Sequence, residues 1–213
     1  MDNFGLYLVL THPATSYEVC AEAAVQAGVR MLQLRVKNQS AAELLPLARR
    51  LREITRGSET LFIVNDDPAL AAEVGADGVH LGQTDMPVRE ARRRFPTLRL
   101  FGLSTHSMEQ ALAALEQEPD LIGVGPVFAT PTKDIPDPVL GVEKAGEMIR
   151  ATQHACPAVA IGGIDAGNLA DVLKAGAENF AVVRAVCGAE DPLAAIRELQ
   201  TITGRGFSNP RKE

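Results

Sequence analysis

Gly75-Ala76-Asp77-Gly78-Val79-His80-Leu81-Gly82-Gln83-Thr84-Asp85 is the stretch whose reading decides the fold. Gly78 to Leu81 reads as a short buried strand, and it opens into a loop carrying Asp85. A second acidic loop, Asn65-Asp66-Asp67, follows the strand before it, Leu61 to Val64. Two consecutive strands therefore deliver a carboxylate from the same kind of position. In a parallel barrel the loops after the strands share one face, so Asp66 and Asp85 are placed to reach one hard cation. Either aspartate alone is more simply a helix cap or a solvated loop residue. The pair, taken with the cationic residues below, favours a site.

Working outward, the same unit recurs: a short run of Val, Leu and Ile, a loop, then a helix-period segment ending near Gly. Strands are expected at 6–10, 31–34, 61–64, 78–81, 100–103, 121–124, 158–161 and 180–183. Helices are expected at 17–26, 41–55, 68–74, 88–95, 107–116, 142–152, 168–175 and 192–202. Alternation of this kind indicates βα units and a parallel sheet, and strands apolar on both faces are buried on both faces. Eight units in 213 residues predict an α/β fold, a single-domain (β/α)8 TIM barrel over residues 1–203. An open doubly wound sheet is the rival, but the first turn, Thr11-His12-Pro13, lacks its glycine fingerprint. Residues 204–213 read as a flexible polar tail.

Bulk properties narrow the function. The net charge is -6, which argues against nucleic acid or an anionic membrane as the main partner. Cys20, Cys156 and Cys187 are far apart and have no zinc spacing, so they read as buried thiols in a reducing compartment. The N-terminus lacks a signal-peptide pattern, and no apolar run approaches the ~18 residues of a membrane span. A cytoplasmic protein is expected; a homo-oligomer is compatible with the composition.

Reading only the loops after the strands gives a selective set of residues. Gln33-Leu34-Arg35-Val36-Lys37 alternates, so Gln33, Arg35 and Lys37 project together as the second strand ends. An amide and two cations suit an anion with several oxygens. Ser104 and His106 follow the fifth strand, where a helix cap is as good a reading as a ligand contact. His80, within a strand, reads as a core histidine. The longest loop, Gly125 to Lys133, carries Thr130, Thr132 and Lys133 and is followed by a Pro- and Asp-rich stretch, Asp134 to Val139. Gly162-Gly163 and Val183-Arg184 follow the last two strands, where barrels often bind phosphate. Arg35, Lys37, Lys133 and a metal on Asp66 and Asp85 would suit a diphosphate; Gly163 with Val183-Arg184 would suit a monophosphate. No nucleophile–base pair stands out, and departure of a metal-bound diphosphate is the simplest chemistry.

These motifs resemble the thiamine phosphate synthase family. The resemblance rests on Gln33-Leu34-Arg35-x-Lys37, Asn65-Asp66-Asp67, the stretch 75–85, Gly102-x-Ser104-Thr105-His106, Gly125-Pro126-Val127-Phe128-x-Thr130-x-Thr132-Lys133 and Ile161-Gly162-Gly163-Ile164. It implies that 4-amino-2-methyl-5-hydroxymethylpyrimidine diphosphate is joined to a thiazole phosphate, giving thiamine phosphate and diphosphate. It further implies a dissociative reaction in which diphosphate leaves before the thiazole nitrogen attacks. Gln33, Leu34, Arg35, Val36, Lys37, Asn65, Ser104 and Lys133 would contact the pyrimidine diphosphate. Arg35, Lys37, Ser104 and Lys133 would act in catalysis, and Asp66 and Asp85 would bind Mg2+. Thr130, Pro131, Thr132, Gly163, Val183 and Arg184 would hold the thiazole phosphate. A thiazole tautomerase of the same fold needs no metal and diphosphate set, and a sensor of thiamine precursors would not turn over. Magnesium-dependent turnover separates the synthase from both.

Overall fold

The computed structural model describes residues 3–130 and 138–204. Eight strands run in chain order: β1 Leu6–Leu10, β2 Met31–Leu34, β3 Leu61–Asn65, β4 Gly78–Leu81, β5 Leu100–Thr105, β6 Leu121–Val124, β7 Ala158–Ile161 and β8 Asn179–Val182. They pair in sequence order, all parallel, and β8 closes onto β1 through Leu6 and Phe180. The helices are α1 Tyr17–Gln26, α2 Ala41–Thr55, α3 Pro68–Val74, α4 Val88–Arg94, α5 Met108–Leu115, α6 Gly141–Thr152, α7 Leu169–Lys174, α8 Arg184–Cys187 and α9 Pro192–Ile202. The (β/α)8 barrel is therefore the fold. The expected tail lies almost wholly outside the described residues, as does 131–137 with Pro131, Thr132 and Lys133.

Local chemistry starts the helices. Ser40 and Glu43 form a reciprocal capping box on α2, and that hydrogen bonding holds the Glu43 carboxyl below its ordinary range. Ser107 caps α5. Asp67 and Asp191 cap α3 and α9, each followed by proline. Asp67 is thereby a structural residue, which leaves Asp66 as the loop's candidate ligand.

Strand alternation builds two cores. Outward residues such as Leu8, Leu32, Phe62, Val79 and Phe101 pack against the helices. Inward residues such as Met31, Ile63, Leu100, Leu121 and Val159 fill the lower barrel. Two residues further along β2 and β3 the inner face turns polar: Met31 gives way to Gln33, and Ile63 to Asn65. On β4 and β5 the polar inner positions are His80 and Ser104. This change of character, from apolar floor to polar top, places the site.

The lower rim is held by a repeated device. Asp77 accepts from the amide of Phe62 and from Arg52, each at 2.9 Å. Asp120 likewise accepts from the amide of Phe101 at 2.8 Å and from Arg92 at 2.9 Å. Each carboxylate joins the start of the strand before its own to the helix that leads into that earlier strand. Asp77→Ala leaves a strand amide and a largely buried guanidinium without their shared acceptor. A loss of about 2–3 kcal/mol is expected in urea unfolding; an unchanged midpoint would show that water replaces the clamp at no cost.

Candidate active site

A cavity of about 850 Å3 opens at the C-terminal ends of the strands, within the usual range for small-ligand sites. Gln33 forms part of its wall and donates Nε2 to the Tyr7 hydroxyl at 2.7 Å. Burial pushes the Tyr7 phenol well above its ordinary range, so it stays protonated. Arg35 also lines the cavity, its backbone tied to β1 through Leu10 O and the Thr11 hydroxyl. Leu34 and Val36 alternate to the other side and pack into the outer core. Only their backbones are placed to face a ligand.

Asn65 ends β3 and lines the cavity. The next residue, Asp66, takes φ +63° and donates its amide to His80 O at 2.8 Å. That left-handed turn aims the Asp66 carboxylate at the Lys37 ammonium, with which it pairs. Asp85 approaches from β4, its carboxylate accepting from the Gly82 amide at 2.6 Å. Burial holds the Asp85 carboxyl above its ordinary range, and the nearby Asp66 charge adds to this. The Gly82 bond and Lys37 act in the opposite direction.

Magnesium fits this donor set. Two hard carboxylates meet beside a cavity, and their mutual repulsion is what a divalent cation relieves. Among the described residues no group of three or more His, Cys, Asp and Glu gathers. Magnesium needs only one or two carboxylates, the rest of its shell coming from phosphate and water.

Ser104 belongs to β5 and is not a loop residue, because that strand runs two residues beyond its apolar segment. His80, read from sequence as a core histidine, does line the cavity, and its Nε2 lies 3.0 Å from Ser104 Oγ. This hydroxyl–imidazole pair escaped the sequence reading, since 24 residues separate its members. His106 Nδ1 lies 2.6 Å from Gly125 O, so that nitrogen carries a proton and fixes the start of the next loop.

Thr130, Gly163, Val183 and Arg184 all line the opposite side of the cavity. Besides lining the cavity, the two glycines serve loop packing. A Cβ on Gly162 would meet Pro126 at 2.6 Å, and one on Gly163 would meet Phe128 at 2.7 Å. They let the loop after β6 lie on the loop after β7. Val183 precedes α8, a four-residue helix that sequence periodicity could not reveal. Cys20, Cys156 and Cys187 are free and buried, and none lines the cavity. Burial pushes the Cys156 thiol up to about 12.

Comparison with known proteins agrees with this geometry. The family profile of TMP-TENI, thiamine monophosphate synthase, matches residues 6–186. A thiamine-phosphate synthase of Gloeobacter violaceus is 46% identical over 187 residues, 88% of this chain and 54% of that protein. This chain thus spans about half of that relative. It covers 95% of a Thermus thermophilus thiamine-phosphate synthase, with 45% identity over 206 residues and 92% of this chain. A solved structure, thiamine phosphate pyrophosphorylase from Pyrococcus furiosus, superposes with a TM-score of 0.85 at 35% identity, covering 96% of this chain and 98% of that one. With the barrel, the cavity and these matches in agreement, the chain belongs to the thiamine monophosphate synthase family.

Proposed function

We propose that this chain is a transferase of thiamine biosynthesis that joins 4-amino-2-methyl-5-hydroxymethylpyrimidine diphosphate to a thiazole phosphate, with Mg2+ held by Asp66 and Asp85. The products are thiamine phosphate and diphosphate. The observation that carries this reading is the meeting of Asp66, Asp85 and Lys37 beside a cavity that Arg35 lines. Opposite charges at that rim suit a metal-bound diphosphate rather than a free carboxylate or a neutral ligand.

When bound, magnesium would neutralise charge growing on the departing diphosphate. Arg35, Lys37 and Lys133 attract the same anion, and Ser104 donates to one of its oxygens. Gln33 and Asn65 hold the pyrimidine on the polar upper layer of the barrel. Thr130, Gly163, Val183 and Arg184, across the cavity, hold the thiazole phosphate, and the family resemblance adds Pro131 and Thr132. The bond between the pyrimidine methylene carbon and the diphosphate oxygen breaks first, its electron pair leaving with diphosphate. The ring amino group stabilises the resulting cation, and the lone pair of the thiazole nitrogen forms the new C–N bond. A pre-shaped cavity favours this route by holding the thiazole nitrogen against the cation as it forms.

The partners on this reading are the two small phosphorylated substrates, with no part for nucleic acid or membrane. Among the described residues no helix is long and apolar enough to cross a membrane. We place the reaction in the cytoplasm, where three free buried thiols are at home.

The deciding experiment incubates purified chain with both phosphorylated precursors, with magnesium or with a chelator, and measures thiamine phosphate by chromatography. Product is expected only with magnesium. Equal product under chelation would remove the metal from Asp66 and Asp85. A folded sample that binds thiazole phosphate yet forms no product would point to a tautomerase or a sensor.

A further inference from the structure

A serine hydroxyl 3.0 Å from an imidazole nitrogen can work in two opposite senses. The hydroxyl has one proton. If His80 Nε2 accepts that proton's hydrogen bond, Ser104 is being prepared as a nucleophile. If Nε2 carries its own proton and donates to Ser104 Oγ, the hydroxyl proton is directed elsewhere. An ionised phosphate oxygen can only accept, so an anion site needs the second arrangement.

The barrel holds the His80 ring in one place. Its registered neighbour on β5 is Gly102, where a Cβ would come within 2.3 Å of the ring. At Gly123 on β6, the next strand, a Cβ would make only an ordinary contact with the ring, at 3.6 Å. The Tyr7 ring meets His80 edge-on, with centroids 6.3 Å apart. Strand register sets the Ser104 backbone opposite Gly123, and Gln83 donates to Ser104 O at 2.6 Å. Both partners are thus fixed before any ligand arrives. Gly102 is given up on the neighbouring strand to admit the imidazole, which simple core filling would not require.

We propose that His80 is a positioning residue: its Nε2–H donates to Ser104 Oγ and commits the Ser104 hydroxyl to donate to an anionic diphosphate oxygen. This rests on the reading that Ser104 faces the diphosphate. It assigns the serine–imidazole pair a binding role and excludes a nucleophilic one. The chemistry is consistent, since departure of diphosphate from the pyrimidine methylene needs no covalent attack by the protein.

Two measurements test it. The first is imidazole nitrogen NMR on the wild-type chain labelled at histidine, at about pH 8, above the usual histidine range. The His80 signals are assigned by their loss in His80→Gln. Protonated Nε2 is expected; a bare Nε2 accepting from serine would overturn the proposal. The second is calorimetric binding of inorganic diphosphate with magnesium. His80→Gln, which presents an amide N–H near the same place, is expected to stay within about threefold of wild type. His80→Leu is expected to weaken binding roughly tenfold to a hundredfold. In a Ser104→Ala background, His80→Leu should add almost nothing, because the group it orients is gone. An equal added loss there would make His80 merely structural and refute the positioning role. If these results hold while no thiamine phosphate forms, the proposed reaction fails and the orientation of Ser104 stands.

Discussion

Asp66→Asn is expected to lower kcat/KM by about a hundredfold or more, and to raise the magnesium concentration for half-maximal rate at least about tenfold. Asparagine is the informative replacement. Asp66 sits at φ +63°, a left-handed conformation that asparagine tolerates better than alanine does. The backbone and its bond to His80 O are therefore kept, and only the charge is lost. Stability should hardly change. The lost ion pair with Lys37 is partly exposed, and such pairs contribute about 0–1 kcal/mol. Removing one of two neighbouring carboxylates also relieves their repulsion, so the Asp85 carboxyl should move back toward its ordinary range. Steady-state kinetics across a magnesium titration, with thermal unfolding of the same samples, separates the effects. Near-wild-type turnover with unchanged magnesium dependence would take the metal away from this pair.

The barrel was legible because its strands are apolar on both faces and its helices begin at readable caps. Ser107, and Asp191 before Pro192, both mark helix starts in the sequence and both cap in the structure. What stayed hidden lies where the barrel interior changes character. A strand is expected to end where apolar residues end, yet β5 continues through Ser104 and Thr105 because the upper interior is polar. The pairing of His80 with Ser104 depends on the register of β4 against β5, which no local pattern encodes. A shift of one residue would turn Ser104 away from the cavity. The acidic loop after β3 offered two aspartates, and geometry divides their work. Asp67 caps α3, while the left-handed Asp66 faces Lys37. The carboxylate pair was nevertheless legible in outline, since two successive strand ends of a parallel barrel must share a face. At Gly162-Gly163 the position was found in the sequence, but the packing of the loop after β6 against the missing side chains was not.

Gly125→Ala is expected to be among the most damaging single-methyl additions at the site. A Cβ there would fall 2.1 Å from Ile161 O and 2.9 Å from Ile161 Cγ2. The nearest obstacle is backbone, so no rotamer change can relieve the clash. Ile161 O also accepts from the Val127 amide at 2.9 Å, a bond that fixes the loop after β6 onto β7. Making room means parting those strands at the top, breaking that bond and shifting Gly125 O from His106. Overpacking of this kind costs about 3 kcal/mol or more, near the upper end of its usual range. For a chain of this size that lowers Tm by roughly 6–12 °C. Gly123, two residues earlier on the same chain, is the internal comparison. A Cβ there would stand 3.6 Å from the His80 ring, an ordinary contact. Gly123→Ala should therefore unfold within about 2–3 °C of wild type. In the folded fraction of Gly125→Ala, the KM for the thiazole phosphate should rise well before the affinity for inorganic diphosphate changes. The displaced loop carries Thr130 and rests on Gly162 and Gly163, whereas Asp66, Asp85 and Lys37 lie across the barrel. Equal stability of the two alanine variants would mean that β6 and β7 separate at little cost, and that the loop is not anchored by their close approach.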